Sequence, residues 1–175
     1  MSTELRPITA ILYADGQAFE TFLRDLTAGM VRRGLRLAGL VQHSIPRPDR
    51  RKCDMLLRDL ATGALHPISE DRGAEAHGCS LDTDLLTRAC TAAEVGLSDR
   101  TALLVLCKFG KVEAGGGGMR GLIEAALGYA VPVLIGVPAI NREAFEAFAG
   151  DFAHLLPLEL FGPDAIDRII AGQLA

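Results

Sequence analysis

No apolar stretch of the sequence reaches the ~18–20 residues of a membrane span, because glycine, proline or charge interrupts each one. Basic residues are not in excess either. Lys and Arg number 18 against 22 Asp and Glu, a formal charge of −4, which argues against a nucleic-acid partner and the basic face it needs. Cys53, Cys79, Cys90 and Cys107 lie far apart with no C-x-x-C pair, so neither disulfides nor a zinc site is expected. The first residues, Met1 to Pro7, include an acid and no apolar stretch before Ile8, unlike a secretory signal. These absences leave a soluble cytoplasmic protein as the expectation.

What is present fits one domain over residues 1–175. A composition of 49% hydrophobic and 23% charged residues is too apolar for a disordered chain. The length falls in the range of about 100–200 residues common for single domains and suffices for a core without staples. No internal repeat and no linker divides it.

The order of elements is more telling. Ile8–Tyr13 is a short apolar run closed by Asp15-Gly16. From Gln17 to Arg33, Ala18, Phe22, Leu26 and Met30 recur at helical spacing, flanked by Phe19 and Leu23, and Gly34 is the stop. Leu35–Val41 reads as a second strand, which makes a strand–helix–strand unit with parallel pairing. Cys53–Leu60 and Ala64–Ile68 flank Ala61-Thr62-Gly63 and read as an inserted hairpin, residues 52–68. Ser69–Ser80 reads as a long loop, and Asp82 as the N-cap of a helix to Gly96 that buries Leu85, Leu86, Ala89 and Ala93, with Cys90 a small core residue beside them. Thr101–Cys107 is a continuous apolar run, the pattern of a strand covered on both faces. Beyond the glycine-rich stretch 110–118 come a helix from Met119 to Tyr129 and a strand over Val131–Val137. Asn141 reads as the cap of a further helix, with Ile140 and Phe145 in staple positions, and a last helix follows Pro163. The expected fold is α/β, a doubly wound and mainly parallel sheet.

Ligands bind such sheets beyond the carboxyl ends of the strands. Asp15-Gly16-Gln17, the segment 108–120 and Pro138–Asn141 all fall there. The middle segment is the sharpest, holding Lys108, Lys111, Glu113, then Gly115, Gly116, Gly117 and Gly118, and Arg120. A glycine-rich loop entering a helix presents unpaired N–H groups at the positive end of the helix dipole. With three cations around it, such a loop suits phosphate or another tetrahedral dianion, and Gly16 and Gln17 would close the other side. The competing reading is a loop that uses glycine only for its turns. Glu113 reads as a base, as a group orienting Arg120, or as a solvated acid.

Nucleotide hydrolysis is not expected. Its phosphate loop would carry G-x-x-x-x-G-K-[ST] after the first strand, whereas Tyr13 to Glu20 has one glycine, no lysine and no hydroxyl in register. The buried strand should end in an acid for magnesium, but Thr101–Leu106 runs into Cys107-Lys108. Other polar groups read as minor. His77-Gly78-Cys79 lacks a second ligand pair, His43 follows the second strand, and His66 and His154 look incidental. Cys107, beside Lys108, is the better placed thiol for a nucleophile. Arg47-Pro48-Asp49-Arg50-Arg51-Lys52 is a solvated loop or an anion contact.

Lys108-Phe109-Gly110-Lys111-Val112-Glu113, the glycine run, Arg120 and Val131-Pro132-Val133-Leu134 resemble a functionally unassigned bacterial family related to P-loop nucleoside-triphosphatases. Gly34–Gln42 and the stretch from Arg72-Gly73 to Leu81-Asp82 match it as well. The resemblance implies a P-loop-like three-layer sandwich. Because the family often stands beside molybdate-transport genes, it also implies molybdate or tungstate as ligand. In the thermophile-type nucleoside-triphosphatases the corresponding segment looks like Asp-Glu-Ile-Gly-Lys-Met-Glu. Against it, Cys107-Lys108 replace the acidic pair while Gly110, Lys111 and Glu113 are retained.

The expectation is therefore a non-hydrolysing, P-loop-like protein binding a small oxyanion or a nucleotide phosphate, possible as a homodimer through its sheet edges. The alternatives are an unconventional nucleoside-triphosphatase using Lys111 and Glu113, and an interaction module docking through its hairpin.

Overall fold

The computed structural model describes residues 6–45, 54–69 and 81–170. At the centre of the sheet lies β5 (Leu103–Leu106), all four residues of which are buried. It pairs in parallel with β2 (Leu37–Ile45) on one side and β6 (Val133–Pro138) on the other. Next to β6 lies β1 (Ile8–Tyr13), and β7 (Ala153–Pro157) closes that edge, both parallel. On the other side, β3 (Asp54–Asp59) and β4 (Leu65–Pro67) extend β2 antiparallel, giving the order β4-β3-β2-β5-β6-β1-β7. The continuous apolar runs at β1, β5 and β6 follow from burial on both faces.

Helices cover the two faces. From β1, α1 (Gly16–Arg32) crosses to β2 and packs beside α6 (Ala165–Ile170), with Gly29 against Ile166. On the opposite face, α2 (Thr83–Val95) packs against α4 (Arg120–Gly128). The short α3 (Lys111–Ala114) precedes α4, and α5 (Arg142–Ala149) links β6 to β7. Right-handed crossovers send α1 and α5 to opposite faces from the neighbouring strands β1 and β6, so the chain reverses direction between those two strands.

The architecture expected from the element order is the one found, with local differences. Strand β2 runs to Ile45 because Leu40–Ile45 pairs with β3, and from Val41 on this pairing continues beyond the end of β5. The buried stripe of α1 is Phe19, Leu23, Leu26 and Met30, whereas Ala18 faces solvent. Ile140 is 91% exposed, so no staple forms with Phe145. Asn141 makes no cap bond; its side-chain amide donates to the Phe109 carbonyl at 2.9 Å and ties the end of β6 to the segment after β5. A helix, α3, occupies part of the stretch read as loop, and β7 had no clear run of its own. Residues 46–53 and 70–80, with the basic cluster, Cys53, His77 and Cys79, lie outside the described residues.

Gly39 sits where β2 leaves β5, at φ +120°, and a Cβ there would stand 1.9 Å from the Val105 carbonyl oxygen. No rotamer relieves an overlap with backbone. Gly39→Ala is expected to lower unfolding free energy by about 3 kcal/mol or more, at the upper end of single substitutions. Urea titration checks it, and an unchanged midpoint refutes this account of the β2–β5 contact.

Candidate functional site

At the carboxyl ends of β1, β5 and β6, helical segments begin, and after β1 and β5 the chain's own carboxylates meet their first amides. Asp15 caps α1, its Oδ1 accepting from the amides of Gln17 at 3.0 Å and Ala18 at 3.1 Å. The Gln17 amide, expected to face a ligand, is therefore already engaged. Just before this turn, Tyr13 stacks on Phe19 with ring centroids 4.3 Å apart.

Glu113 does the same for two helices at once. It is 4% exposed, and its Oε2 accepts from the Gly110 amide at 2.8 Å while Oε1 accepts from the Met119 amide at 3.0 Å. One carboxylate thus receives donors from the starts of both α3 and α4, where the dipoles favour negative charge. The glycine run wraps around it. Gly115, Gly116 and Gly117 donate to the carbonyls of Lys111, Glu113 and Val112. Gly118 has φ +60°, and a Cβ there would stand 2.1 Å from Glu113 Oε1, so only glycine closes over the carboxylate. Arg120 Nε donates to the Glu113 carbonyl at 2.5 Å, with its guanidinium 4.5 Å from the Phe148 ring centre.

These bonds correct the open-loop expectation. The amides of Gly115–Gly117 meet carbonyls of the preceding turn, and Arg120 braces that turn. Lys108 and Lys111 remain exposed, and no carboxylate pairs with either among the described residues.

Lys108 borders a cavity of about 680 Å³ together with Tyr13, Gly16 and Cys107. From there the cavity follows α1, with β2 and β3 as its other wall, and includes His43. Three more arginines line it: Arg24 and Arg32 from α1, and Arg58 from β3. The first two lie off the buried stripe of α1, on another of its faces. Their signal was available in the spacing of residues 24, 28 and 32, which puts them on one stripe.

Burial works against thiolate formation at the two described thiols, Cys90 and Cys107. Burial first, then the nearby Glu113 carboxylate, pushes both Cys107 and Cys90 up to about 12; Lys108 opposes this at Cys107 only in part. Tyr13 is raised as well, by burial and then Cys107. Among the described residues no cluster of three or more His, Cys, Asp or Glu is arranged to hold a metal.

Two outcomes follow from this geometry. Glu113→Ala, which leaves two buried amides without an acceptor, should cost about 3 kcal/mol of stability, and Glu113→Gln roughly half, because its amide oxygen still accepts one bond. Equal losses in denaturant titrations would contradict the double-donor arrangement. For the thiols the sign is set by proton binding. Unfolded they ionise near 9, folded near 12, so the folded state holds protons longer. Their contribution is complete below pH 9 and declines as pH rises toward 12. A Cys90→Ala/Cys107→Ala double variant should show a flatter stability profile between pH 9 and 11 than the parent.

The fold is of the P-loop nucleoside-triphosphatase type. It is similar to the crystal structure of THEP1 from the hyperthermophile Aquifex aeolicus, with a TM-score of 0.50 covering 95% of each chain, at 18% identity. In sequence the chain is 34% identical over 152 residues to the molybdenum import ATP-binding protein ModC 2 of Bradyrhizobium diazoefficiens. That match takes in 87% of this chain but only 17% of the relative's length. Residues 8–161 match the family described as "Protein of unknown function (DUF2478)", and the chain belongs to that family.

Proposed function

We propose that the chain binds a small oxyanion, either molybdate or tungstate or the phosphate of a nucleotide, and holds it without hydrolysis in the service of molybdenum handling. The observation that carries this reading is Lys108. Its ammonium group projects at the carboxyl end of the central strand β5, where P-loop-type sheets receive ligands, and borders a cavity beside the first turn of α1. Gly16 and the Gln17 side chain lie at that turn, and Lys111 is a second exposed cation on α3. The Lys108 side chain lies beside Gly110, whose amide Glu113 holds, while Gly115–Gly118 and Arg120 complete that turn. The presence of a similar segment within a molybdenum import ATP-binding protein supports a role near molybdate.

Two features support binding without turnover. The first turn of α1 has no lysine to reach a terminal phosphate. Glu113 is buried and both of its oxygens accept from backbone amides, so this carboxylate is not placed to hold magnesium or take a proton.

Isothermal titration with molybdate, tungstate, phosphate and ATP tests the proposal. At least one should bind, and Lys108→Ala should weaken that binding about tenfold or more, the ~1.4 kcal/mol scale of one charge-assisted contact. ATP with magnesium should release no phosphate. Absence of heat with all four ligands overturns the reading.

A further inference from the structure

We infer that the ligand is an amphipathic organic anion, with its acid group at Lys108 and an apolar body lying along α1 against the β2–β3 face. This rests on the anion-binding reading for the acid end; the body has its own support. The first observation is size. The cavity of about 680 Å³ falls within the roughly 300–1,000 Å³ typical of pockets for organic ligands. It borders α1 from Gly16 to Arg32, which at 1.5 Å per residue is about 24 Å of helix. A tetrahedral oxyanion would occupy only the Lys108 end.

The second observation is how the fold leaves this slot open. Strand β3 pairs with the half of β2 that projects past β5, and α2 packs against β3 and β4 from one side only. On the other face a trough remains beside α1, floored by Leu23 of α1, Val41 of β2 and Leu60 just past β3. That floor is apolar, and a hydrated ion gains nothing from it, whereas a ring or chain does.

The third observation is charge. The lining carries four cations, Lys108, Arg24, Arg32 and Arg58, against two carboxylates, Glu20 and Asp59, although the chain as a whole has a formal charge of −4. Asp59 is buried and accepts from the amides of Ala61 and Thr62, and Arg24 stands 3.5 Å from Asp25. Arg32, Arg58 and Lys108 meet no carboxylate among the described residues. An apolar floor with a basic rim is complementary to an organic acid. A protein partner fits less well, since stable interfaces need about 800 Å² of surface on each side rather than a slot.

The test uses three matched probes on the full chain: 1-naphthyl phosphate, 1-naphthol and inorganic phosphate, with molybdate as a fourth. The expected result is that naphthyl phosphate binds at least tenfold more tightly than naphthol, phosphate or molybdate. Its amide shift changes should map to Thr27, Ala28, Val31, Leu60 and Gly63 as well as to the Lys108 turn. Ala28→Trp fills the trough from an exposed position on α1 and should abolish that advantage while leaving phosphate or molybdate binding intact. Lys108→Ala should weaken naphthyl phosphate, phosphate and molybdate alike. Circular dichroism and the urea midpoint verify that both variants are folded. If phosphate or molybdate binds as tightly as naphthyl phosphate and Ala28→Trp changes nothing, the inference fails and the bare-oxyanion reading stands. If no probe binds, both fail. Shifts confined to the Lys108 turn, or a trough perturbed only on raising protein concentration, also overturn it.

Discussion

Helices α3 and α4 begin close together in sequence, and each leaves N–H groups that its own turns do not satisfy. The single carboxylate of Glu113 receives one donor from each, in a place almost closed to water. Everything around it is arranged by that need. The chain must turn back within a few residues to bring Met119 over the same carboxylate that Gly110 touches. This requires the left-handed backbone of Gly116 and Gly118 and leaves no room for a Cβ at Gly118. Arg120 holds the turn from outside by its bond to the Glu113 carbonyl, and its flat guanidinium lies against Phe148. The fixed negative charge reaches further, to the thiols of Cys90 and Cys107, which it helps keep protonated. A glycine run that resembles an anion cradle is thus a cradle for an acid of the chain itself.

The same substitution of internal for external anion occurs at the first strand–helix turn, where Asp15 accepts from two amides of α1. A P-loop-type sheet does not need its phosphate loop in order to fold, because strand order and crossovers depend on the buried runs at β1, β5 and β6. The loops are therefore free to lose their open amides while the architecture persists. One consequence concerns recognition. Backbone nests select a phosphate by fixed geometry, whereas Lys108 and the arginines along α1 are mobile side chains that answer to charge and are weakened by salt. The proposed recognition is then broad in charge, with shape selection left to the trough.

How far the residues announce this differs from place to place. Buried strands were legible because Leu103–Leu106 and Val133–Val137 have no polar interruption, and α2 because Asp82 caps it in the usual way. Helix α3 was not legible. Four residues followed by four glycines carry no periodicity, and the helix exists because Glu113 bonds back to Gly110. The role of Glu113 was out of reach for a related reason: its two donors, Gly110 and Met119, stand on opposite sides of it in sequence and meet only after the glycine turn forms. Asn141 shows the same limit, since a residue of cap type found a better partner in the Phe109 carbonyl, 32 residues away. The surroundings of the arginines on α1 were out of reach because amphipathic spacing shows which face is apolar but not what stands opposite the polar one.

What stands opposite is the hairpin, and it is the one departure from a simple doubly wound sheet. In such a sheet β2 would be an edge strand as long as its pairing with β5, and α1 would cover it completely. Here Leu40–Ile45 continues past the last β5 residue, and β3 and β4 pair along it. Helix α1 descends from the carboxyl end of β1 and has no length or direction left to cover the added strands. Helix α2 packs on one side of them, while Arg58 and Leu60, two residues apart and so on one face, border the cavity beside α1. The trough is thus a geometric result of inserting a hairpin next to a helix too narrow to cover it. The arginines that line it lie on two separate elements, α1 and β3, in a protein of opposite net charge. Two elements supplying like charge to one slot repel each other across it, a cost in stability that folding alone gives no reason to accept. An anion between them removes that cost.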